Sequence, residues 1–299
     1  MILLTGATGF LGSRILSALL KNGNEVVVVK RSFSNTDKIG EFLSDEKLHT
    51  FDIDLSEPRK LFEKYPIETI IHTATEYGRG TTPVIKTLEA NLMLPIRLAE
   101  LGISYGVKCF INTDSFFNKE NKSYSGLPSY SLSKKNLLTW LTNLSKELKI
   151  INVILEHVYG PHDDRSKFVE YAIQEIAVKK IAKIALTHGH QKRDFIYVDD
   201  VAEAYIKLIE YGRKENFLFK NFEVGSGESH SIRDFIETIK LLSGSSTELC
   251  FGAIEYRSDE IMKSTADIGE LKKLNWSPTF MLQDGVRNIL KAYKLIDVK

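Results

Sequence analysis

The sequence predicts an α/β fold, with a doubly wound parallel sheet in its first half and a smaller mixed lobe after it. Three observations predict this. Short β-rich runs alternate with helical patterns as far as residue 156. The second run holds four consecutive valines, Val26 to Val29, as expected of a strand buried on both faces. A glycine-rich turn joins the first run to the first helical pattern. Alternation of this kind means βαβ units and a parallel sheet.

The elements follow in order. Residues 2–4 form a short apolar strand, and residues 10–20 carry Phe10, Leu11, Ile15, Leu16, Leu19 and Leu20 at helical spacing. Further strands are predicted at 25–29, 47–51, 69–73, 107–112 and 150–156, with helices at 56–65, 83–105 and 129–148 between them. After residue 156 the regularity weakens. Tyr159-Gly160-Pro161 is a turn signal. Residues 168–180 read as a helix and 195–198 as a short strand. The helix predicted at 199–211 opens with Asp199 and Asp200, which suit the positive end of a helix dipole. A short strand at 222–224 precedes the loop Gly225-Ser226-Gly227, and helices are predicted at 231–242 and 282–295.

Composition bounds the class of protein. The chain has 299 residues, 43% of them hydrophobic and 26% charged, which fits a globular chain of about two domains and excludes a disordered one. The formal net charge of +1 gives no argument for a nucleic-acid partner. Two cysteines, Cys109 and Cys250, cannot form a disulfide framework and suit a reducing compartment. The opening MILLTGATGF has no basic region, long apolar run or cleavage site, and no stretch reaches the apolar length of a membrane span. The expected location is the cytoplasm.

The first motif is Thr5-Gly6-Ala7-Thr8-Gly9-Phe10-Leu11-Gly12. Glycines at 6, 9 and 12 allow a tight turn and close approach to a pyrophosphate, while the helix start offers free N–H groups to that anion. The motif follows a strand and opens a helix, the context that makes it a Rossmann-type dinucleotide loop. The end of the second strand selects the cofactor. An acid there would hold a ribose 2′-hydroxyl, but the chain reads Lys30-Arg31-Ser32. NADP(H) is therefore expected, with Arg31 and Lys30 on the 2′-phosphate. Residues 1–156 are read as the dinucleotide-binding domain, with 194–224 adding elements to it. Residues 157–193 and 225–299 form the second lobe.

The second motif is Tyr130-Ser131-Leu132-Ser133-Lys134. The Tyr-x-x-x-Lys spacing arises by chance, so position carries its weight. The pair opens a helix just after the fifth strand, near the strand ends where open α/β sheets bind ligands. On a helix the two share a face. The ammonium is expected to lower the phenol pKa and to contact the cofactor ribose.

These motifs, with Arg193-Asp194-Phe195 leading to Asp200, resemble the extended short-chain dehydrogenase/reductase family, the branch of nucleotide-sugar epimerases and dehydratases. The resemblance runs from Thr5 to about Pro278. It is strongest to reductases of nucleoside-diphosphate 4-keto-6-deoxyhexoses. The runs that carry this are Ala74-Thr75-Glu76-Tyr77-Gly78, Asn112-Thr113-Asp114-Ser115-Phe116-Phe117, Leu155-Glu156-His157-Val158-Tyr159-Gly160-Pro161, Arg193-Asp194-Phe195-Ile196 and Phe251-Gly252-Ala253-Ile254-Glu255.

The resemblance implies NADPH-dependent reduction of the C4 ketone of a CDP- or dTDP-linked sugar, giving a deoxysugar for surface polysaccharide such as O-antigen. Tyr130 is then the general acid, with Lys134 tuning it. Ser115 or Thr113 supplies the hydroxyl bonded to the reacting oxygen. Counting from the strand favours Ser115, and matching a Thr-Asp-Glu motif favours Thr113. Because Ser115 follows Asp114, the dehydratase glutamate is missing.

The resemblance also implies cofactor contacts for Asp52 and Ile53, for Thr73, Ala74 and Thr75, and for Asn91, Asn112, His157 and Val158. It implies that Arg193 and Arg257 face the substrate diphosphate, that Lys167 and Phe168 line the nucleotide pocket and that Glu76 and Tyr77 touch the sugar. A homodimer built on the helices at 83–105 and 129–148 is expected too. His188-Gly-His190 and His162-Asp163-Asp164 lack further ligands at a recognisable spacing, so no metal is expected. An epimerase that keeps tightly bound NAD is the alternative, since it uses the same Tyr, Lys and hydroxyl.

Overall fold

The computed structural model describes residues 1–119 and 126–297. In chain order the first elements are β1 (Ile2–Thr5), α1 (Phe10–Lys21), β2 (Val26–Lys30), β3 (Leu48–Asp52), α2 (Pro58–Lys64), β4 (Thr69–His72), α3 (Val84–Leu88), α4 (Leu94–Ser104), β5 (Cys109–Ser115), α5 (Pro128–Leu144) and β6 (Lys149–Leu155). There follow β7 (His157–Tyr159), α6 (Phe168–Ala172), β8 (Lys183–Leu186), β9 (Lys192–Arg193), β10 (Phe195–Tyr197), α7 (Val198–Lys214) and β11 (Phe219–Val224). The chain closes with β12 (His230–Ser231), α8 (Ile232–Ser243), β13 (Glu248–Phe251), α9 (Gly269–Lys273) and α10 (Leu282–Ala292).

Among the described residues one sheet has the order β11-β6-β5-β4-β1-β2-β3. The pairs from β1 to β6 run parallel. The order reverses between β1 and β4, and such a switch point opens the crevice that binds ligands in these folds.

Register explains the layering. Leu3, Ile70, Phe110 and Ile150 lie side by side on four neighbouring strands and are wholly buried. Together with Val27, Leu98, Leu137 and Leu141 they belong to one apolar core. Two residues along each strand, on the same face, the row turns polar: Thr5, His72, Asn112 and Asn152. The apolar row holds the sheet to its helices, and the polar row begins the functional end.

The chain divides into two compact units. Met1–Leu155 with Ala202–Phe222 form the first, and Glu156–Val201 with Glu223–Lys299 form the second. The second has its own core, in which Tyr159, Phe195 and Phe235 meet at ring-centroid distances of 4.4–6.1 Å. It is tied by two buried acids. Asp194 accepts from Ser226 N and Oγ, Gly227 N and Ala266 N at 2.6–3.0 Å. Asp200, at the start of α7, accepts from Thr279 N and Oγ1 and from Phe280 N at 2.6–3.1 Å.

Some elements differ from expectation. The helix expected at 83–105 is interrupted by a π-helical turn at Glu89–Met93. Pro95 has no N–H to return to the Asn91 carbonyl, which loosens the ladder there. The helix expected at 168–180 likewise passes into a π-helical turn at Ile173–Val178. Strand β5 runs three residues further than expected, through Ser115, and is buried throughout. Strands β7, β8, β9, β12 and β13 and helix α9 are absent from the sequence reading. No helix of the described residues is long and apolar enough to cross a membrane.

Candidate active site

The glycine loop is shaped by two approaches that only glycine permits. Gly6 has φ +74°, and a Cβ there would lie 2.6 Å from Ala74 N and from Thr73 Oγ1. A Cβ on Gly12 would collide with the Gly6 carbonyl. Helix α1 therefore starts against the loop, with Gly9, which has no side chain to cap it, at its N-terminus. Thr73 Oγ1 donates to Thr5 O at 2.7 Å, and Ala74 N donates to Thr5 Oγ1 at 3.3 Å, tying the β4 exit to the loop. A cradle this close to backbone, at the positive end of a 12-residue helix, fits a dinucleotide diphosphate.

At the β2 end the two basic residues part company. Lys30 is ion-paired with Asp52, so it is committed within the fold rather than poised for a ligand. Arg31 is exposed and lies over the Phe33 ring at 4.8 Å. Asp54 accepts from Ser32 N and Oγ at 2.8 and 2.7 Å, which fixes the turn that presents Arg31 and holds the Asp54 carboxyl below its usual range.

The Tyr–Lys pair lies on the first turns of α5, and both side chains are buried. Burial pushes the Tyr130 phenol well above its usual range, assisted by Tyr77 and opposed by a hydrogen bond with the Ser115 side chain. This corrects the expectation that Lys134 would bring the phenol down. The Lys134 ammonium lies 6.0 Å from the Tyr130 ring centroid and donates instead to Thr113 O at 2.7 Å. Burial draws Lys134 itself down to about 8, while Asp114 pulls the other way.

The two candidate hydroxyls are now distinguishable. Ser115 bonds to Tyr130 and also accepts from Phe117 N at 3.4 Å. The Thr113 hydroxyl lies 2.6 Å from Tyr205 Oη, a pairing inside the first unit. Asp114 is buried between these two, and its carboxyl is raised by burial while Lys134 and three hydrogen-bond donors oppose the shift.

Around Tyr130 stands an aromatic wall. Tyr77 stacks on it at 5.1 Å and 30°, Phe117 meets it edge-on at 6.4 Å, and the Arg79 guanidinium lies over the Tyr77 ring at 4.9 Å. Glu76 is turned inward on its own loop, its Oε1 accepting from Gly78 N at 3.0 Å. Asn91, expected at the cofactor, is wholly committed to protein. Its Oδ1 accepts from Glu76 N at 2.8 Å, and its Nδ2 donates to Glu76 O and Ser133 Oγ at 2.8 and 3.0 Å. Ser133 Oγ in turn donates to Tyr130 O at 2.8 Å. The π-helical turn thus clamps the loop that carries Tyr77 to the helix that carries Tyr130. Sequence reading placed Asn91 at the site but missed this role, and the Asn-x-x-x-Pro spacing was its only signal.

In the second unit, Arg193 is buried, ion-paired with Glu260 and bonded to the carbonyls of Ile261 and Lys192. Glu260 N donates to Arg257 O at 3.1 Å, so one turn brings Arg257 beside that pair. His157 is drawn down to about 3 by burial, then by Arg193 and Lys167, and stays neutral. Lys167 is ion-paired with Asp163 at 2.9 Å, and Phe168 next to it is exposed. Arg193 and Lys167 are thus each paired with an acid of their own unit.

Comparison with known proteins follows from this geometry. A profile described as "NAD dependent epimerase/dehydratase family" matches residues 2–225. The CDP-abequose synthase of Salmonella muenchen is 37% identical over 296 residues, covering 97% of this chain and 96% of that protein. The CDP-abequose synthase of Salmonella typhimurium is 36% identical over 300 residues, covering 97% of each. Among solved structures, the UDP-glucuronic acid 4-epimerase of Bacillus cereus with UDP-glucuronic acid and NAD superposes with a TM-score of 0.83 at 24% identity, over 98% of this chain and 99% of that one.

Proposed function

The chain belongs to the NAD-dependent epimerase/dehydratase family, and on that premise we propose that it is an NADPH-dependent reductase of a nucleoside-diphosphate 4-keto-6-deoxyhexose. A nicotinamide dinucleotide is held by Gly6, Gly9 and Gly12 along α1, by Thr73 to Thr75, and by Arg31 at the 2′-phosphate. When bound, it supplies the reducing equivalent for the C4 ketone.

The remaining chemistry belongs to the protein. Tyr130 donates a proton to the C4 oxygen, and Ser115 stabilises charge there as it develops. Lys134 keeps a positive charge below the site. The observation that carries this reading is the buried Tyr130 phenol bonded to Ser115. Burial holds its proton, and reduction of a ketone starts from a protonated acid. In the second unit Arg193, Arg257 and Lys167 take the substrate diphosphate, the anion exchanging with the acids Glu260 and Asp163 that pair Arg193 and Lys167.

The relatives named CDP-abequose synthase support a CDP-linked substrate. A homodimer is supported by apolar side chains left exposed on the helices expected to pair: Val84, Ile85 and Met93, with Leu132 and Trp140 on α5. A 4-epimerase is the second reading, favoured by Lys30 being committed to Asp52 and by the NAD in the Bacillus cereus structure. The experiment that separates them is cofactor analysis of the purified protein, followed by turnover of CDP- and dTDP-linked 4-keto sugars. Stoichiometric NADPH consumption supports the reductase. Retained NAD with no net NADPH consumption supports the epimerase.

A further inference from the structure

The polar row across the sheet is more than a boundary of the core. Thr5, His72, Asn112 and Asn152 sit in register on β1, β4, β5 and β6, and each is essentially inaccessible to solvent. Their hydrogen bonds have a direction. Thr5 Oγ1 accepts from Ala74 N and lies 2.9 Å from His72 Nδ1, to which its own proton is free to donate when the ring carries its hydrogen on Nε2. In that tautomer Nε2, a buried atom with no protein partner, is a donor. On the neighbouring strand, Asn112 Oδ1 is a buried acceptor with no protein partner. Donor and acceptor are complementary and adjacent in register, which is what one bound water satisfies. Beyond it Asn112 Nδ2 donates to Asn152 Oδ1 at 2.8 Å. Asn152 Nδ2 donates to Asp114 Oδ2 at 3.2 Å and to Asn221 Oδ1 at 3.0 Å. From Asn112 through Asn152 the row donates toward Asp114, with one side bond to Asn221.

Asp114 is the carboxylate that acts on Lys134. Its Oδ1 is fixed by Ser115 N at 2.8 Å and by Asn118 Nδ2 at 2.7 Å, and its Oδ2 is met by the row. The titratable groups facing Lys134 are Asp114 from β5, His72 from β4 and Tyr130 on its own helix. Burial and Lys134 both hold His72 neutral, which leaves Asp114 as the counter-charge.

We propose that Thr5, His72, Asn112 and Asn152 form a one-way hydrogen-bonded row, closed by a water between His72 and Asn112, whose task is to hold the Asp114 carboxylate charged and aimed at Lys134. Asp114, Asn112 and Asn152 are positioning residues in this account, acting through Lys134. Bonds aligned in one direction polarise one another, so a break distant from Asp114 weakens the hold at its end. The proposal rests on reading Lys134 as the lysine of the Tyr–Lys pair, but its test does not require turnover.

The test is titration of the Lys134 ammonium by NMR in isotopically labelled protein, in the wild type and in Asn152→Ser and Asn112→Leu. Loss of a donor frees the Asp114 carboxylate to turn from Lys134, which weakens the counter-charge at the ammonium and so lowers Lys134. The Lys134 midpoint is expected to fall by about half a unit or more in both variants. An unchanged or raised midpoint in a folded variant overturns the proposal, whatever reaction the enzyme catalyses. Should neither variant fold, the wild type alone decides through the nitrogen shifts of His72. A neutral ring protonated on Nε2 across the working pH range is expected. A proton on Nδ1 reverses the direction of the row and overturns it.

Discussion

Two opposed influences act on the Tyr130 proton: burial holds it, and the bond with Ser115 eases its loss. A reductase needs the held state first, so Tyr130→Phe is expected to lower kcat by about 10²–10⁴ with dinucleotide affinity retained, checked by steady-state kinetics and fluorescence titration. The hydroxyls of β5 separate by the same logic. Ser115→Ala removes the group bonded to the acid and is expected to lower kcat by about 10²–10³. Thr113→Val leaves the buried Tyr205 hydroxyl without its partner, so its main expected effect is a loss of about 1–3 kcal/mol of stability, read by denaturant unfolding. Lys134, drawn down to about 8, predicts that kcat falls as pH rises through that value, since the ammonium is lost there. A flat profile to pH 10 would count against a charged Lys134 acting in turnover.

Elements place these residues, and they also show why some roles escaped the sequence. The glycine loop, β5 and the start of α5 were legible because each combines a local pattern with a fixed place in a βαβ unit. Ser115 and Thr113 were not separable, because the choice depends on Tyr205, which lies 92 residues from Thr113. The row through His72 and Asn152 was invisible for a similar reason. A single histidine or asparagine near a strand end means little until register sets it beside its neighbours. Lys30 and Arg31 looked equivalent in sequence, and Asp52 in the adjacent strand divides them. Arg31→Ala is accordingly expected to raise the KM for NADPH about tenfold or more and to leave that for NADH nearly unchanged, a comparison that isolates the 2′-phosphate.

At the scale of the whole molecule, the two units reflect a division of the polar chemistry. The first carries the glycine loop and the proposed proton donor, and the second carries Arg193, Arg257 and Lys167, the basic residues proposed to meet the substrate diphosphate. A net charge of +1 conceals that placement. Exposed Val84, Ile85, Met93, Leu132 and Trp140 predict a dimer, so Trp140→Glu is expected to shift the mass in sedimentation toward a monomer. The central claim, that this fold is used to reduce a 4-keto sugar nucleotide, is tested most directly by one measurement: NADPH absorbance on addition of a CDP-linked 4-keto-6-deoxyhexose. The account predicts oxidation of one NADPH per sugar reduced, lost in Tyr130→Phe. An unchanged absorbance with the wild-type protein, while the sugar is epimerised or left intact, would contradict it.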